Sequence, residues 1–377
     1  MNNNWEYVPF STLFDWCQKS NIGSRQGDRI GKYPLYIASA TEIKRFDEFL
    51  ENGESLVFGT GGNPCIHYAT GKFAYTNHTE VAKKSLGSIN TKFYYYFFQK
   101  DRFSLLKSTF VGGGIKNSSK KKIGLLPVPL VCTEEQERIV ARIEELFSQL
   151  DAGVETLKKT KAQLATYRQA VLKEAFDSVS EYSAVTIESL CQSIVDCPHS
   201  TPKWTKDGCL CLRTTNFKRG RLDLSEKNYV TRETFDLRNA RLIPLPGDIL
   251  YSREGAILGI ACIIPEDTYV CLGQRMMLFR PCENLNNRYL MYYLNSPTVT
   301  SFVASITGGS ASPHVNVRDI KAFMIPYPDI RIQKQIVAEI DSRFSVCDNI
   351  EQTIDAVLQQ AEAMRQSILK DAFEGRL

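Results

Sequence analysis

The sequence lacks any hydrophobic run long enough to cross a membrane. Its longest apolar stretches begin at Ile123 and Ile257, and both fall far short of the roughly 20 residues that a spanning helix needs. The first residues, MNNNWEYV, are polar and show no signal-peptide pattern. The 11 cysteines are odd in number and follow no framework spacing, which argues against a disulfide-stabilised secreted protein. We therefore expect a cytoplasmic protein with reduced thiols and no membrane contact.

Motifs of nucleotide-dependent enzymes are missing as well. No Gly-x-Gly-x-x-Gly follows a predicted strand, and the glycine clusters at 59–62 and 111–114 lack the Lys-Ser or Lys-Thr of a phosphate-binding loop. NPCI from Asn63 is a faint likeness of the Asn-Pro-Pro-aromatic loop of DNA amino-methyltransferases. Asp28 with EIK at 42–44 lacks the Pro-Asp turn of a nuclease site. The sequence therefore predicts no catalytic residue and no cofactor.

Metal ligands are also scarce. The chain has four histidines, and a candidate zinc group would have to combine Cys197, His199, Cys209 and Cys211. These residues lack the Cys-x-x-Cys and His-x₃₋₅-His spacings that give a tetrahedral site its geometry. We predict no metal site.

Positive charge is unevenly distributed along the chain. The net charge is only +4, but residues 1–131 carry 17 basic and 10 acidic side chains, whereas residues 132–177 and 331–377 are slightly acidic. A basic segment attracts phosphates. An ordinary solvated surface accounts for an excess of this size equally well.

One sequence segment of helical character occurs twice in the chain. Residues 136–177 align without a gap to residues 333–374, and the identities include Ile139/Ile336, Phe147/Phe344 and Arg168/Arg365. Forty residues without a gap or an internal proline indicate one continuous helix in each copy. Apolar residues recur every seven positions, namely Ile143, Leu150, Leu157, Leu164 and Val171 in the first copy and Ile340, Cys347, Ile354, Ala361 and Ile368 in the second. This period favours two long helices that pack against each other as a coiled coil; packing in two separate bundles is the alternative.

The repeat extends upstream of both helices. LLPVPLV at 125–131 corresponds to MIPYPDI at 324–330, and each predicts a short strand closed by Pro-x-Pro. The aromatic stretches KFYYYFFQ and RYLMYYLNS, the glycine-rich segments from Phe110 and Ser305, and the strand segments around Ser55 and Ile249 also correspond. The 377 residues therefore consist of two copies of one sequence repeat. The predicted domains are 1–131 (globular), 132–177 (helix), 178–330 (globular) and 331–377 (helix).

This organisation resembles the DNA-specificity subunit of type I restriction-modification systems. The resemblance rests on LPVP…EEQERIVARIEELF, IPYP…IQKQIVAEIDSRF and the ending ILKDAFEGRL, and it covers essentially the whole chain. VDCPHSTPKWTKDGCLCLRTTNFKRGRLD is similar to the Asp-x-x-His-x-x-Pro opening of one class of target recognition domain. YPLYIASA…LVFGTGG…YATGKFAYTNHT resembles another class.

The resemblance implies an α+β fold. Two α/β target recognition domains would be separated by two long antiparallel coiled-coil helices, as a pseudo-twofold internal repeat. Each domain would read one half of an asymmetric bipartite sequence in double-stranded DNA, and the helices would set the spacing. The implied partners are two adenine methyltransferase subunits and, in the full complex, motor-nuclease subunits. The chain itself would be non-catalytic.

Three other functions stay open at this stage. A specificity subunit of a related two-cut (type IIB) system would have a very similar sequence. A stand-alone DNA methyltransferase or nuclease and a coiled-coil adaptor without a DNA role are the others.

Candidate DNA contacts are polar and basic residues in the predicted loops, since Lys and Arg suit phosphates and Arg, Asn, Gln, Ser and Thr suit base edges. In the first domain they are Lys44, Arg45, Asn63, His67, Asn77, His78, Lys83, Lys84, Lys116, Lys120, Lys121 and Lys122. In the second domain they are His199, Thr201, Lys203, Arg213, Thr215, Asn216, Lys218, Arg219, Arg253, Gln274, Arg275 and His314.

Overall fold

The computed structural model describes residues 5–114, 116–255, 257–308 and 313–377. Part of the glycine-rich turn predicted from Ser305 lies outside the described residues. The chain forms two compact units, one comprising residues 1–158 and 354–377 and the other residues 159–353. The domain boundaries predicted from the sequence instead separate globular parts from helices, and they stay a prediction.

The first unit mixes small sheets with helices. Its strands are β1 (Glu6–Pro9), β2 (Phe14–Trp16), β3 (Tyr33–Tyr36), β4 (Ile43–Phe46), β5 (Glu51–Asn52), β6 (Ser55–Gly59), β7 (Cys65–Ala69), β8 (Lys72–Tyr75), β9 (Thr79–Lys84) and β10 (Pro127–Leu130). Its helices are α1 (Thr91–Lys107), α2 (Lys120–Gly124) and the first part of the long helix α3 (Thr133–Asp177). The sheet orders are β2-β9-β6-β7 and β4-β3-β8-β5, and β1 pairs with β10.

The second unit is built around a larger sheet. Its strands are β11 (Ala184–Thr186), β12 (Cys191–Asp196), β13 (Cys209–Leu212), β14 (Phe217–Lys218), β15 (Gly220–Leu222), β16 (Tyr229–Val230), β17 (Ile249–Ser252), β18 (Ala261–Ile263), β19 (Cys271–Leu272), β20 (Met276–Pro281) and β21 (Met324–Pro326). Its helices are α4 (Ile187–Leu190), α5 (Arg232–Arg238), α6 (Asn287–Leu294), α7 (Pro297–Thr307), α8 (Val317–Lys321) and the first part of the long helix α9 (Ile330–Phe373). The orders are β12-β20-β17-β18-β15-β14 and β16-β13-β19, and β11 pairs with β21.

Aromatic side chains form the core of the first unit. Helix α1 begins after Asn90, whose side chain accepts hydrogen bonds from the backbone N–H groups of Lys92 and Phe93, as an N-cap residue does. The rings of Phe93 and Phe97 are buried, and each packs edge-on against Phe373, with centroids 5.2 and 5.4 Å away. The end of α9 is therefore part of this core. Residues 100–103 depart from helical geometry, so α1 is interrupted before its last turn.

The second unit repeats this arrangement. Phe176, near the end of α3, packs edge-on against Tyr289 and Tyr293 of α6, with centroids 5.2 and 5.1 Å away. Two-stranded ribbons precede both long helices, with Val8 opposite Val128 in one and Val185 opposite Ile325 in the other. The internal repeat predicted from the sequence is therefore present in the tertiary structure.

Each unit also pairs a part of α3 with a part of α9. In the first unit Asp151 forms an ion pair with Arg365, whose guanidinium lies 4.4 Å from the ring centre of Phe147. Further along, Arg138 donates a 3.2 Å hydrogen bond to the carbonyl of Leu377. Residue numbers fall in α9 as they rise in α3, so the two helical segments are antiparallel.

The second unit contains the equivalent contacts. Arg168 lies 2.5 Å from a carboxylate oxygen of Asp348, and its guanidinium is 5.7 Å from the ring centre of Phe344. These residues are the repeat equivalents of Arg365, Asp151 and Phe147. The predicted α+β fold with antiparallel helices and an internal repeat is confirmed.

Burial along the helices follows the predicted heptads. Ile143, Val171 and Ile340 are fully buried in the cores of their units, and Cys347 is buried as well. Leu150, Leu157 and Leu164 are half-buried. Among the described helices, none combines the length and the hydropathy needed to cross a bilayer.

Candidate nucleic-acid interface

In the second unit, several candidate residues surround Asp196 at the end of β12. Arg253, which follows β17, donates from Nε and Nη2 to the two carboxylate oxygens of Asp196 at 2.8 and 3.1 Å. The Nε2 atom of His199 lies 3.2 Å from the same carboxylate. Both partners of the Arg253–Asp196 pair are largely buried, while His199 is exposed. The buried pair thus fixes the base of a loop that presents His199 to solvent.

A second loop lies beside this one. Thr201 donates a 3.2 Å hydrogen bond to Oε1 of Gln274, and Nε2 of Gln274 donates to the carbonyl of His199. The next residue, Arg275, has a positive φ of 68°, an uncommon conformation for a residue with a side chain. Its side chain is exposed and lies 3.6 Å from Glu254. Four sequence-predicted residues are therefore brought together on one surface.

The segment around His314 belongs to the same surface. The N–H of Val315 donates to the carbonyl of Arg253 at 2.9 Å, and the N–H of Gly255 donates to the carbonyl of Pro313 at 3.0 Å. These bonds place exposed His314 beside Glu254. Four separate segments of the sequence, at 196–201, 253–255, 274–275 and 313–315, thus meet here.

Trp204 and Arg213 extend the polar surface. The guanidinium of Arg213 lies 5.6 Å from the centre of the Trp204 ring, within the range of a cation–π contact. Trp204 is exposed although it is large and apolar. Exposed aromatic rings are the groups on which unpaired bases stack. Lys203, Thr215 and Lys218 are exposed nearby in sequence.

In the first unit, three segments converge around Thr60. The N–H and the hydroxyl of Thr60 both donate to the carbonyl of His78 at 2.9 Å, and the N–H of Ser118 donates to the carbonyl of Thr60 at 2.8 Å. The N–H of Gly62 donates to the carbonyl of Lys116 at 3.1 Å. These bonds gather the exposed candidate residues Asn63, Asn77, His78 and Lys116. The exposed lysines of α2, at 120–122, follow directly.

The side chains of four other candidates in the first unit already form hydrogen bonds or ion pairs with other groups of the protein. Lys44 donates to the carbonyl of Ser24 at 2.9 Å, and Arg45 donates to the carbonyls of Gly31 and Lys32 at 3.0 and 2.9 Å. Lys83 is ion-paired with Glu51, and Lys84 lies 3.5 Å from Glu54. A contact with phosphate would have to compete with these bonds.

Three candidates are buried. His67 is 9% exposed, its Nε2 atom has no hydrogen-bond partner, and burial lowers its pKa. Asn216 accepts from the N–H of Arg213 at 2.9 Å and donates to the carbonyls of Asp223 and Glu226 at 3.0 and 2.9 Å. Asn216 therefore closes a turn. Arg253 is the third buried candidate, and it anchors a loop through its ion pair with Asp196. The DNA-contact assignments of all these residues stay predictions.

Sequence reasoning missed Asp196, Trp204 and Arg238. Asp196 is part of the Asp-x-x-His-x-x-Pro pattern, so the pattern signalled it. Trp204 is a tryptophan between two lysines in a polar loop, which is a weak sign of exposure. Arg238 is a buried arginine inside an ordinary amphipathic segment, and no local pattern marks it.

The described residues contain no group of three or more His, Cys, Asp and Glu side chains that could hold a metal ion. Burial raises the pKa of the Cys197 thiol, so this thiol stays protonated and is a weak ligand and nucleophile. The arrangement described above offers hydrogen bonds, charge and an exposed ring to a ligand.

Two unlike α/β domains, each leading into a long helix of the same kind, define the class of protein. The family model for the type I restriction modification DNA specificity domain matches residues 2–165 and again residues 198–360. The chain belongs to this family and contains two copies of its domain.

Named relatives agree with this assignment. The chain is similar to the specificity subunit of the type I restriction enzyme EcoBI of Escherichia coli, with 25% identity over 315 residues, 76% of this chain and 66% of that one. It is 22% identical over 290 residues to the EcoKI specificity subunit of E. coli K12, covering 72% and 62% of the two chains. The aligned region thus spans just under two thirds of both relatives. With the EcoDI subunit of E. coli it shares 21% identity, over 99% of this chain and 89% of the relative.

Solved structures share the fold. A chain from a structure described as the basis of complex assembly and conformational transition of the type I R-M system superimposes with a TM-score of 0.71 at 16% identity, covering 100% and 99% of the two chains. The HsdS subunit from Thermoanaerobacter tengcongensis gives 0.51 at 17% identity, covering 100% and 98%.

Proposed function

We propose that this chain is the DNA-reading subunit of a type I restriction-modification complex that acts in the cytoplasm. Each globular domain reads one half of an asymmetric, bipartite sequence in double-stranded DNA. The long helices set the distance between the halves and dock two adenine methyltransferase subunits. Motor-nuclease subunits complete the assembly, and the chemistry on DNA belongs to these partners.

The observation that carries the proposal is the contrast between alike helices and unlike domains. The pairs Asp151–Arg365 and Arg168–Asp348 are equivalent, whereas the sheets of the two units carry different additions: β5 extends one sheet of the first unit, and β15 and β14 extend one sheet of the second. A homodimeric reader presents the same domain twice and reads a palindrome. Two different domains on equivalent helices suit two unrelated half-sites.

The exposed polar loops supply groups for DNA. In the second domain, Gln274 and Arg275 carry amide and guanidinium groups that suit adenine and guanine edges. In the first domain, Lys120, Lys121 and Lys122 supply phosphate contacts, which provide affinity without sequence preference. The helices are mildly acidic and therefore suit protein partners better than phosphate.

Sequencing of methylated adenines in the host genome tests the proposal. The expected result is methylation at one asymmetric, bipartite sequence that disappears when the chain's gene is deleted. Replacement of residues 1–131 by the first domain of another specificity subunit should change one half of that sequence and leave the other half intact. A change in both halves, or methylation that survives the deletion, would overturn the proposal.

A second experiment addresses the enzyme alternative. The purified chain is incubated with duplex DNA and a labelled methyl donor. We expect label in DNA only when the methyltransferase partner is present. Methylation by the chain alone would assign the chemistry to this chain and refute the proposed division of labour.

A further inference from the structure

The buried side chain of Arg238 lies beneath two surface loops of the second domain and is hydrogen-bonded to both. Arg238 is the last residue of α5 and is 6% exposed. Its guanidinium donates to the carbonyls of Leu272 and Gly273 at 2.6 and 2.9 Å. It also donates to the carbonyls of Pro198 and Ser200 at 3.2 and 3.1 Å. One side chain therefore binds four backbone carbonyls in two segments that are far apart in sequence.

Both segments carry candidates for DNA contact, of which His199, Thr201 and Arg275 are exposed and Gln274 is half-buried. The first presents His199 and Thr201, and the second leads into Gln274 and Arg275. Hydrogen bonds from Thr201 to Gln274 and from Gln274 to the carbonyl of His199 join the two loops at the surface. Together with Arg238 below, these bonds hold the loops as one piece. We infer that Arg238 is a positioning residue that sets the base-reading surface of the second domain, an inference that rests on the proposed function.

The segment around Gly273 is the fixed partner in this arrangement. A β-carbon added at Gly273 would lie 2.0 Å from the carbonyl oxygen of Leu212, so the backbone there is packed directly on β13. The preceding residues 271–272 belong to β19, which pairs with β13. The segment 198–201 has no regular secondary structure. Arg238 therefore ties a loop without regular structure to a rigid part of the sheet.

Arginine is chemically suited to this position. Its planar guanidinium carries five N–H donors in a fixed fork, whereas lysine carries three donors on one nitrogen. No carboxylate lies within ion-pair distance of Arg238 in the described part of the chain. A buried cation is normally retained only where its donors are satisfied, and here backbone carbonyls satisfy them. Lysine would keep the charge but would not span both loops with the same geometry.

The test compares Arg238→Lys and Arg238→Met with the matched control Arg232→Met in the complete complex in the host. Arg232 lies on the same helix but is exposed and pairs with Asp236. The readout is the set of methylated sequences. A preliminary experiment replaces residues 178–330 with the second domain of another specificity subunit and so identifies the half-site that this domain reads. We expect both Arg238 variants to relax discrimination there by about tenfold or more. Arg238→Lys should be the milder variant, and the first half-site and the control should be unchanged.

The outcomes separate the inference from the proposed function. Absence of bipartite methylation in the wild type would reject the proposed function, whatever the variants do. If the wild type methylates a bipartite sequence, unchanged specificity in Arg238→Lys would overturn the inference. Equal loss at both half-sites would also overturn it, because it would indicate a general structural role.

A measurement on the wild-type chain needs no variant. Backbone N–H order parameters from NMR relaxation should be higher in segments 199–201 and 272–275 than in the exposed turn at 266–267. Equally low order parameters would show that Arg238 does not order these loops, and would contradict the inference even if both variants failed to fold.

Discussion

The side-chain amide of Gln136 links the start of α3 to the start of α1. Its Oε1 atom accepts a hydrogen bond from the N–H of Asn90 at 2.8 Å, and its Nε2 atom donates to the carbonyl of Val131 at 2.6 Å. Gln333 makes the equivalent bonds in the second unit, to the N–H of Asn286 at 2.8 Å and the carbonyl of Pro328 at 2.9 Å. Both glutamines are buried. The repeat has therefore retained one polar junction between helix and globular domain in two otherwise divergent halves.

Replacement of Gln136 by Leu should destabilise the first unit. The substitution removes the hydrogen-bond partner of the Asn90 N–H and of the Val131 carbonyl, both in half-buried residues, and an unpaired group costs about 1–3 kcal/mol when it is fully buried. Urea unfolding measures the change in the free energy of unfolding. Gln149→Leu, on an exposed position of the same helix, should change stability by less than about 0.5 kcal/mol. Equal effects of the two substitutions would show that the junction contributes nothing specific.

The stability of the first unit should fall as the pH decreases below 6.5. Burial lowers the pKa of His67 from its ordinary value of 6.5, so the unfolded chain takes up a proton before the folded chain does. His67 therefore favours folding fully above pH 6.5, and this contribution is lost as the pH falls further, by at most about 1.4 kcal/mol per pH unit. Urea unfolding between pH 5 and 8 measures it. His67→Leu should flatten this part of the profile, and an unchanged slope would refute the assignment.

A change in helix length should change the spacing between half-sites. Four residues inserted within 148–166 of α3 add about 6 Å of helix, which corresponds to roughly two base pairs of duplex. We expect methylated sequences with an altered gap and unchanged half-sites. Four residues inserted after Glu266, in an exposed turn of the second unit, serve as the control. Altered half-sites with an unchanged gap would refute the spacer role of the helices.

The lysines of α2 should contribute to affinity but not to specificity. Substitution of Lys120, Lys121 and Lys122 by Gln should lower DNA affinity uniformly across sequences. The slope of log affinity against log salt should decrease by about 0.9 for each lysine that faces a phosphate. Lys334→Gln, at an exposed position of α9, is the control. Loss of discrimination between sequences with an unchanged salt slope would contradict the assignment.

Periodic features of the fold were predictable from the sequence. Two long helices were indicated by the heptads through Ile143 and Ile340 and by the long gap-free repeat. Apolar residues at regular helical spacing over a long segment are typical of a long packed helix. The strands before the helices were also signalled, since Pro-x-Pro segments favour extended backbone. Candidate DNA contacts were less predictable. The sequence cannot distinguish exposed His78 from buried His67, because exposure depends on which face of a sheet is covered.

The repeat, the heptad positions of the long helices and the family can be recognised in the sequence alone. These are properties of short-range periodicity and of motifs that remain recognisable when read along the chain. The folded chain, in contrast, brings Asp196, Arg253 and His199 into one site and places Arg238 beneath the loops that carry Thr201 and Gln274. Apart from the contact between Asp196 and His199, these contacts join segments tens of residues apart. Their geometry is set by sheet pairing and packing, and no local pattern encodes it.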